Sequence, residues 1–180
     1  MCLYTNHMEI LKEISEGTLG LSDASEQLGT YYELRKSARA ILLNESGKMA
    51  TQHLRTYNFH KLPGGGVETG EEVKEALARE VLEEVGCSCD IVKPVGVIIE
   101  YRNSQKMIHI SYCFVAHVIG RLGTPKLEIG EIEEGQETIW LPPLSVLEIL
   151  EKDLPMKPEG YFILEREKTF LRKFLNMQTC

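Results

Sequence analysis

Three carboxylates, Glu80, Glu83 and Glu84, stand at i, i+3 and i+4 just after the glycine run Gly64-Gly65-Gly66. Thr69 is a natural N-cap, and Glu72 three residues on gives the segment the form of a capping box. That predicts a helix from about residue 70 to residue 85, with Leu77, Ala78, Val81, Leu82 and Val85 on one arc and the three glutamates roughly opposite. Like charges at this spacing destabilise an isolated helix by a few tenths of a kcal/mol per pair, so something must compensate them. An arbitrary Glu-rich helix would simply face water. Here the glycine turn, the cap and the spacing coincide, which favours a hard divalent cation. Carboxylate and carbonyl oxygens suit Mg2+ or Mn2+, and magnesium completes its shell with water and substrate phosphate oxygens.

Gly65, Glu71, Arg79 and the run Glu80-Val81-Leu82-Glu83-Glu84-Val85-Gly86-Cys87 reproduce G-x5-E-x7-R-E-U-x-E-E-x-G-U, where U is a bulky aliphatic residue. This resembles the Nudix box of the MutT-like hydrolases, over roughly residues 35 to 153. The resemblance implies an α/β fold, an α/β/α sandwich around a mixed sheet. It further implies that Glu80, Glu83 and Glu84, with the backbone carbonyl of Gly64, hold Mg2+, with Mn2+ as the alternative. Arg79 then orients the glutamates, Glu71 supports that arrangement, and Gly65 and Gly86 are the motif's fixed glycines. Catalysis falls to Glu80, Glu83 and Arg79. Cys87 departs from the larger aliphatic residue usual at the last position, a matter of packing more than of chemistry.

A second acidic concentration runs from Glu128 to Glu137, ahead of Trp140-Leu141-Pro142-Pro143. In related proteins a glutamate before this tryptophan strand is a further metal ligand or the catalytic base. Glu133 or Glu134 is the candidate, with Glu134 preferred, and a solvated acidic loop is the alternative. His60, where the family often has an aromatic residue, is either a pocket residue or a surface histidine. His109 and His117 lie at even spacing on one strand face and read as packing or surface residues. No Ser/His/Asp or Cys/His arrangement stands out, which argues against a covalent nucleophile.

The chain has 20 basic and 27 acidic residues among 180, a net charge of −7. That excludes the electrostatic footprint of a nucleic-acid-polymer binder, and an acidic protein handling a polyphosphate needs cations between itself and its ligand. The 43% apolar content is enough for a real core. No run of 18 apolar residues and no basic-then-apolar N-terminus occur, so neither a membrane span nor a secretion signal is expected, and the expected location is cytoplasmic. Five irregularly spaced cysteines agree with a reducing compartment, and the pair Cys87 and Cys89 reads as small buried residues after the helix.

The elements that must position the carboxylates follow from periodicity. Residues 1 to 33 are expected as a helical extension, with Ile10, Leu11 and Ile14 in a helix ended by Gly17 and a second helical turn from Ser22 to Leu28; residues 34 to 180 form the catalytic domain. Strands are expected at 37–43, 48–54, 90–100 and 106–119, and helices at 143–151 and 159–177. In the last, Ile163, Phe170, Leu171, Phe174 and Leu175 form a stripe for the core or a homodimer surface. The expected function is Mg2+-dependent hydrolysis of a nucleoside diphosphate linked to another group, with an ordinary or oxidised nucleoside triphosphate as the default. A catalytically silent nucleotide-sensing module is the alternative.

Overall fold

The computed structural model describes residues 8–21 and 31–178. Its elements are β1 (Ile10–Ser15), β2 (Glu33–Leu43), β3 (Met49–Leu54), β4 (Phe59–Lys61), α1 (Val73–Val85), β5 (Ser88–Arg102), β6 (Met107–Ile119), α2 (Ile129–Glu133), β7 (Gln136–Leu141), α3 (Pro143–Lys152) and α4 (Pro158–Gln178). The strands form one mixed sheet in the order β1-β5-β6-β2-β3-β4, with β7 also pairing β3. The pairs β1/β5 and β6/β2 are parallel and the others antiparallel.

Alternation along β2 sends Ala38, Ala40 and Leu42 to one face, where they meet Leu77, Val81 and Val85 of α1. Ile41 and Leu43 go to the other, against Val146 and Leu150 of α3 and Phe170, Leu171 and Phe174 of α4. The result is the expected α/β/α sandwich. The C-terminal apolar stripe belongs to this core, with Ile163 and Leu175 packed at its margin.

The expected N-terminal helix is corrected: Ile10–Ser15 is a strand, and a short 3₁₀ turn at Gly17–Leu19 follows it. Apolar residues at 10, 11 and 14 suit a helix by spacing, but the edge of β5 has backbone groups to satisfy, and residues 10–15 pair with it in parallel. The helical turn expected over 22–28 lies outside the described residues. A second correction concerns α1. It starts at Val73, capped by Glu72, whose own N–H is accepted by Glu75 at 3.2 Å. Gly70 has φ +85° and is a turn residue, so the cap predicted at Thr69 shifts three residues on.

Under α4 lies a buried ionic network. Glu100 accepts from Arg166 Nη1 at 3.0 Å and Arg102 Nε at 2.7 Å, and Arg166 Nη2 donates to Glu167 at 2.7 Å. His109 Nε2 is 3.0 Å from Ser37 Oγ, which is 2.9 Å from Ser111 Oγ. His109 Nδ1 lies 3.4 Å from Glu100 Oε2 without a hydrogen bond, so Glu, His and Ser stand in the order of a hydrolase triad, an arrangement the sequence did not reveal. Ser37 is 1% exposed and its hydroxyl is shared with Ser111, so the arrangement is structural. His117, on the same strand, is exposed.

Burial holds the His109 imidazole down to about 4, against the opposing pull of Glu100. Between pH about 6.5 and that value the unfolded chain binds a proton that the folded chain refuses. Stability from His109 is therefore complete above pH about 6.5 and is lost as pH falls, about 3 kcal/mol in full. Between pH 6.5 and 5, urea unfolding of the natural chain should lose about 2 kcal/mol more than His109→Gln. Equal losses would remove His109 as the cause.

Candidate functional site

The glycine run continues the sheet. Val67 N–H donates to Lys36 O at 3.0 Å, Ala38 N–H to Gly65 O at 3.0 Å and Ala40 N–H to Pro63 O at 2.9 Å, so residues 63–67 lie along β2 as an antiparallel ribbon. This sets the loop against α1. A Cβ placed on Gly65 would collide with the Glu80 carboxylate, so only glycine leaves that carboxylate its place. Gly86, at φ +75°, ends α1 and returns its N–H to Leu82 O at 3.1 Å.

Arg79 is the hub of the exposed half of the site. Its Nε and Nη2 grip Glu71 at 3.0 and 3.1 Å in a two-pronged pair, Nη2 also reaches Gly66 O at 2.9 Å, and Nη1 bridges Glu80 at 2.9 Å and Glu83 at 3.1 Å. The pairing with Glu71, then with Glu80, raises the guanidinium further above its ordinary value and lowers Glu71. Arg79 thus joins Glu71, Glu80, Glu83 and the Gly66 carbonyl in one hydrogen-bonded network.

Glu84 is the hub of the buried half. The three glutamates were expected roughly opposite the packed arc, yet Glu84 is 2% exposed. Seven residues on from Leu77, it returns to the face that packs on the sheet, while Ala78 and Leu82, expected inside, are exposed and Ala76 is buried. Gly64 N–H donates to Glu84 Oε2 at 2.6 Å, and Oε1 accepts from Lys61 Nζ at 3.1 Å and Gln136 Nε2 at 2.9 Å. Burial pushes its carboxyl up, but Lys61, the Gly64 N–H, Arg39 and Gln136 outweigh it and the net direction is down. The Gly64 carbonyl accepts from Arg39 Nη1, so a cation there would share that oxygen with a guanidinium.

In the second acidic segment it is Glu131 that turns toward the helix carboxylates. Gln136 Nε2 lies 3.5 Å from Glu131 Oε1 while bonding Glu84. Burial, then the charge of Glu84, pushes the Glu131 carboxyl up to about 7. Glu133 and Glu134 cap the turn with their carbonyls, accepting from Thr56 Oγ1 and Thr56 N at 3.1 Å each. The segment's composition does not distinguish its glutamates; only the path of α2 does. Lys61, Gln136 and Arg39 are likewise site residues without a sequence signal of their own.

Glu84, Gln136 and Thr138 line a cleft of about 590 Å³ whose other wall includes Pro125, Leu127 and Ile132. That volume suits a nucleotide-sized ligand. A smaller cavity of about 180 Å³, between Glu16, Arg102 and Phe162, contains none of these carboxylates. His60 is in β4, its Nδ1 2.9 Å from Asp153 and its ring stacked on His53, and it does not line the cleft. Cys87 and Cys113 are buried and Cys89 half-buried, all three unbridged.

Five carboxylates (Glu71, Glu80, Glu83, Glu84 and Glu131) face three cations, Lys61, Arg39 and Arg79. The excess shows in Glu80, whose carboxyl is pushed up by burial and by the charge of Glu84. With Arg79 between Glu80 and Glu83, no three acidic, histidine or cysteine side chains close to metal-binding distance among the described residues. The donor chemistry still fits a hard divalent cation: all-oxygen ligands, uncompensated negative charge and a cleft beside them.

The model of the NUDIX domain matches residues 33–161. The chain belongs to the Nudix family. In sequence it is 37% identical over 62 residues to the "Putative 8-oxo-dGTP diphosphatase" of Bacillus subtilis (strain 168), a stretch covering 34% of this chain and 42% of that protein. In fold it is similar to the MutT protein of Methanosarcina mazei Go1 (TM-score 0.55, 22% identity, 81% of this chain and 98% of that one). It is similar too to a NUDIX hydrolase of Nitrosomonas europaea (TM-score 0.60, 17% identity, 80% and 90%). The Nudix match begins at the start of β2, so β1 is an addition to the matched region within the same sheet.

In this Nudix site, Gly65→Ala displaces the far end of a flexible side chain, the Glu80 carboxylate, and so should cost little stability. It is expected to weaken Mn2+ binding at least about 10-fold, about 1.4 kcal/mol, with the melting temperature almost unchanged. Titration by electron paramagnetic resonance beside a thermal melt checks this, and unaltered Mn2+ affinity would contradict the contact.

Proposed function

We propose that this Nudix domain is a divalent-metal-dependent pyrophosphohydrolase that cleaves the diphosphate linkage of a nucleoside diphosphate joined to another group. The observation that carries the proposal is the gathering of Glu80, Glu83 and Glu84 on α1, held by Arg79 and the glycine ribbon, with Glu84 lining a nucleotide-sized cleft. A nucleoside triphosphate, ordinary or oxidised, is the first substrate class to test, supported by the name of the B. subtilis relative. Mg2+ is the expected cation and Mn2+ the alternative.

When bound, the cation supplies Lewis-acid polarisation of a phosphate oxygen and compensates charge on the leaving phosphate. The protein's share is positioning. Arg79 holds Glu80 and Glu83 in register with the loop, Glu84 anchors the loop itself, and Leu127 and Ile132 add apolar surface to the cleft. Glu131, 3.5 Å from the Gln136 amide that also bonds Glu84, is the residue we assign to accept the proton of the attacking water. It takes the role that the sequence pattern suggested for Glu134. Phosphoryl-type chemistry rests mainly on positioning and electrostatics, so no covalent nucleophile is required.

A panel of nucleoside triphosphates, 8-oxo-dGTP, ADP-ribose and sugar nucleotides, assayed for Mg2+-dependent release of phosphate or pyrophosphate, tests the reading. Glu83→Gln is expected to lower turnover at least about 100-fold, near 3 kcal/mol of transition-state stabilisation. Turnover that needs no metal and ignores Glu83→Gln would refute the mechanism. No turnover with retained nucleotide binding would instead identify a sensing module. Glu131→Gln should lower kcat by about 100-fold or more with KM little changed, and Glu134→Gln by less than about 3-fold; the reverse ranking would return the base to Glu134.

A further inference from the structure

Lys61 ends β4 and leads directly into the fully buried Leu62 and the glycine ribbon. Its ammonium lies 3.1 Å from Glu84 Oε1 with only 14% of the side chain exposed, and the Glu84 side chain is 1% exposed. The other partners of that carboxylate are neutral donors, the Gly64 N–H on Oε2 and the Gln136 amide on Oε1. Arg39 acts on Glu84 through its charge, but its guanidinium is engaged with the Gly64 carbonyl. Lys61 is thus the one full positive charge bonded to Glu84 among the described residues, and it sits on a flexible four-carbon stem. The same charge reaches Glu131.

We propose that Lys61 is a built-in competitor of the divalent cation, its ammonium holding the Glu84 carboxylate and yielding that oxygen when the cation binds. The inference rests on the metal-dependent reading above and adds that the chain sets its own metal affinity through one side chain. The physical ground is that one carboxylate oxygen serves two cations badly. A cation brought to Glu84 meets a group already neutralised at 3.1 Å, so part of its attraction goes into displacing the ammonium. By thermodynamic reciprocity, whatever Lys61 subtracts from cation binding the cation subtracts from the Lys61–Glu84 pair. A purely structural ion pair predicts the opposite pattern: its loss would lower melting temperature equally with and without metal, and would loosen the site rather than tighten it.

Mn2+ titration by electron paramagnetic resonance, with melting temperatures in chelator and in saturating Mn2+, separates the two. Lys61→Met should melt lower than the natural chain in chelator, because Glu84 is left as an unpaired buried charge. It should bind Mn2+ about 10-fold more tightly and gain more in melting temperature from Mn2+ than the natural chain does. Equal or weaker Mn2+ binding by Lys61→Met, with normal binding by the natural chain, would overturn the competition and leave the metal-dependent reading standing. Binding by neither protein would overturn both; binding by Lys61→Met alone would uphold the competition. Should Lys61→Met fail to fold, Lys61→Arg keeps the charge and offers a two-pronged grip on the carboxylate. It should bind Mn2+ more weakly than the natural chain, and equal or tighter binding would overturn the proposal.

Discussion

The site depends on one buried carboxylate, that of Glu84. An unpaired charge in such a position costs several kcal/mol, so the surrounding chain must deliver donors to it. It does so from separate elements: Lys61 from β4, the Gly64 N–H from the glycine ribbon and Gln136 from the start of β7, while Glu84 itself comes from α1. Three stretches of chain distant in sequence, residues 61–64, Glu84 and Gln136, are held at one point. The Gln136 amide that donates to Glu84 also lies 3.5 Å from Glu131, which ties the second acidic segment to the same point.

The two halves of the site use charge differently. Around Arg79 the carboxylates are partly open to water, and a single guanidinium with five donors satisfies Glu71, Glu80 and Glu83 together. Around Glu84 water is largely excluded, so neutral amide donors carry a larger share. The excess of carboxylates over cations is tolerable where α1 meets solvent and is strained at Glu80 and Glu131, whose protons are held more tightly than usual. A divalent cation held there would relieve that strain.

A second ionic cluster, under α4 on the other face of the sheet, gathers opposite charges in a drier setting. Glu100, with burial opposing it, stays ionised far below the usual carboxylate range because Arg166, His109 and Arg102 surround it. Arg39 stands between the two clusters, reached by the charges of Arg166 and Glu167 on one side and of Glu84 and Glu80 on the other. The Glu100-His109-Ser37 order inside this cluster illustrates why residue types alone do not make a nucleophile: with Ser37 closed in by β6 and Ser111, nothing can reach its hydroxyl.

The chain's local order was legible wherever a short-range rule decides it. The cap and the apolar spacing by themselves determined that a helix carries Glu80, Glu83 and Glu84, while the roles of Arg79 and Glu71 came only from the resemblance to the Nudix box and the Gly65–Glu80 contact only from the structure. Alternation determined the long strands β5 and β6, and the apolar stripe determined α4. Only the tertiary structure decided the rest. Ile10, Leu11 and Ile14 fit a helix or a strand equally, and the unpaired edge of β5 chose the strand. The three glutamates are alike in sequence, and the rotation of α1 against the sheet made Glu84 the buried one. Glu131 and Glu134 are interchangeable as letters, and the short helix α2 turned one toward Glu84. Lys61 and Gln136 acquire their roles by hydrogen bonds across 23 and 52 residues of chain. Local spacing sets which side chains share a face. Which face is buried, and what charge meets what charge there, depends on the packing of elements far apart in sequence, and no local pattern encodes that.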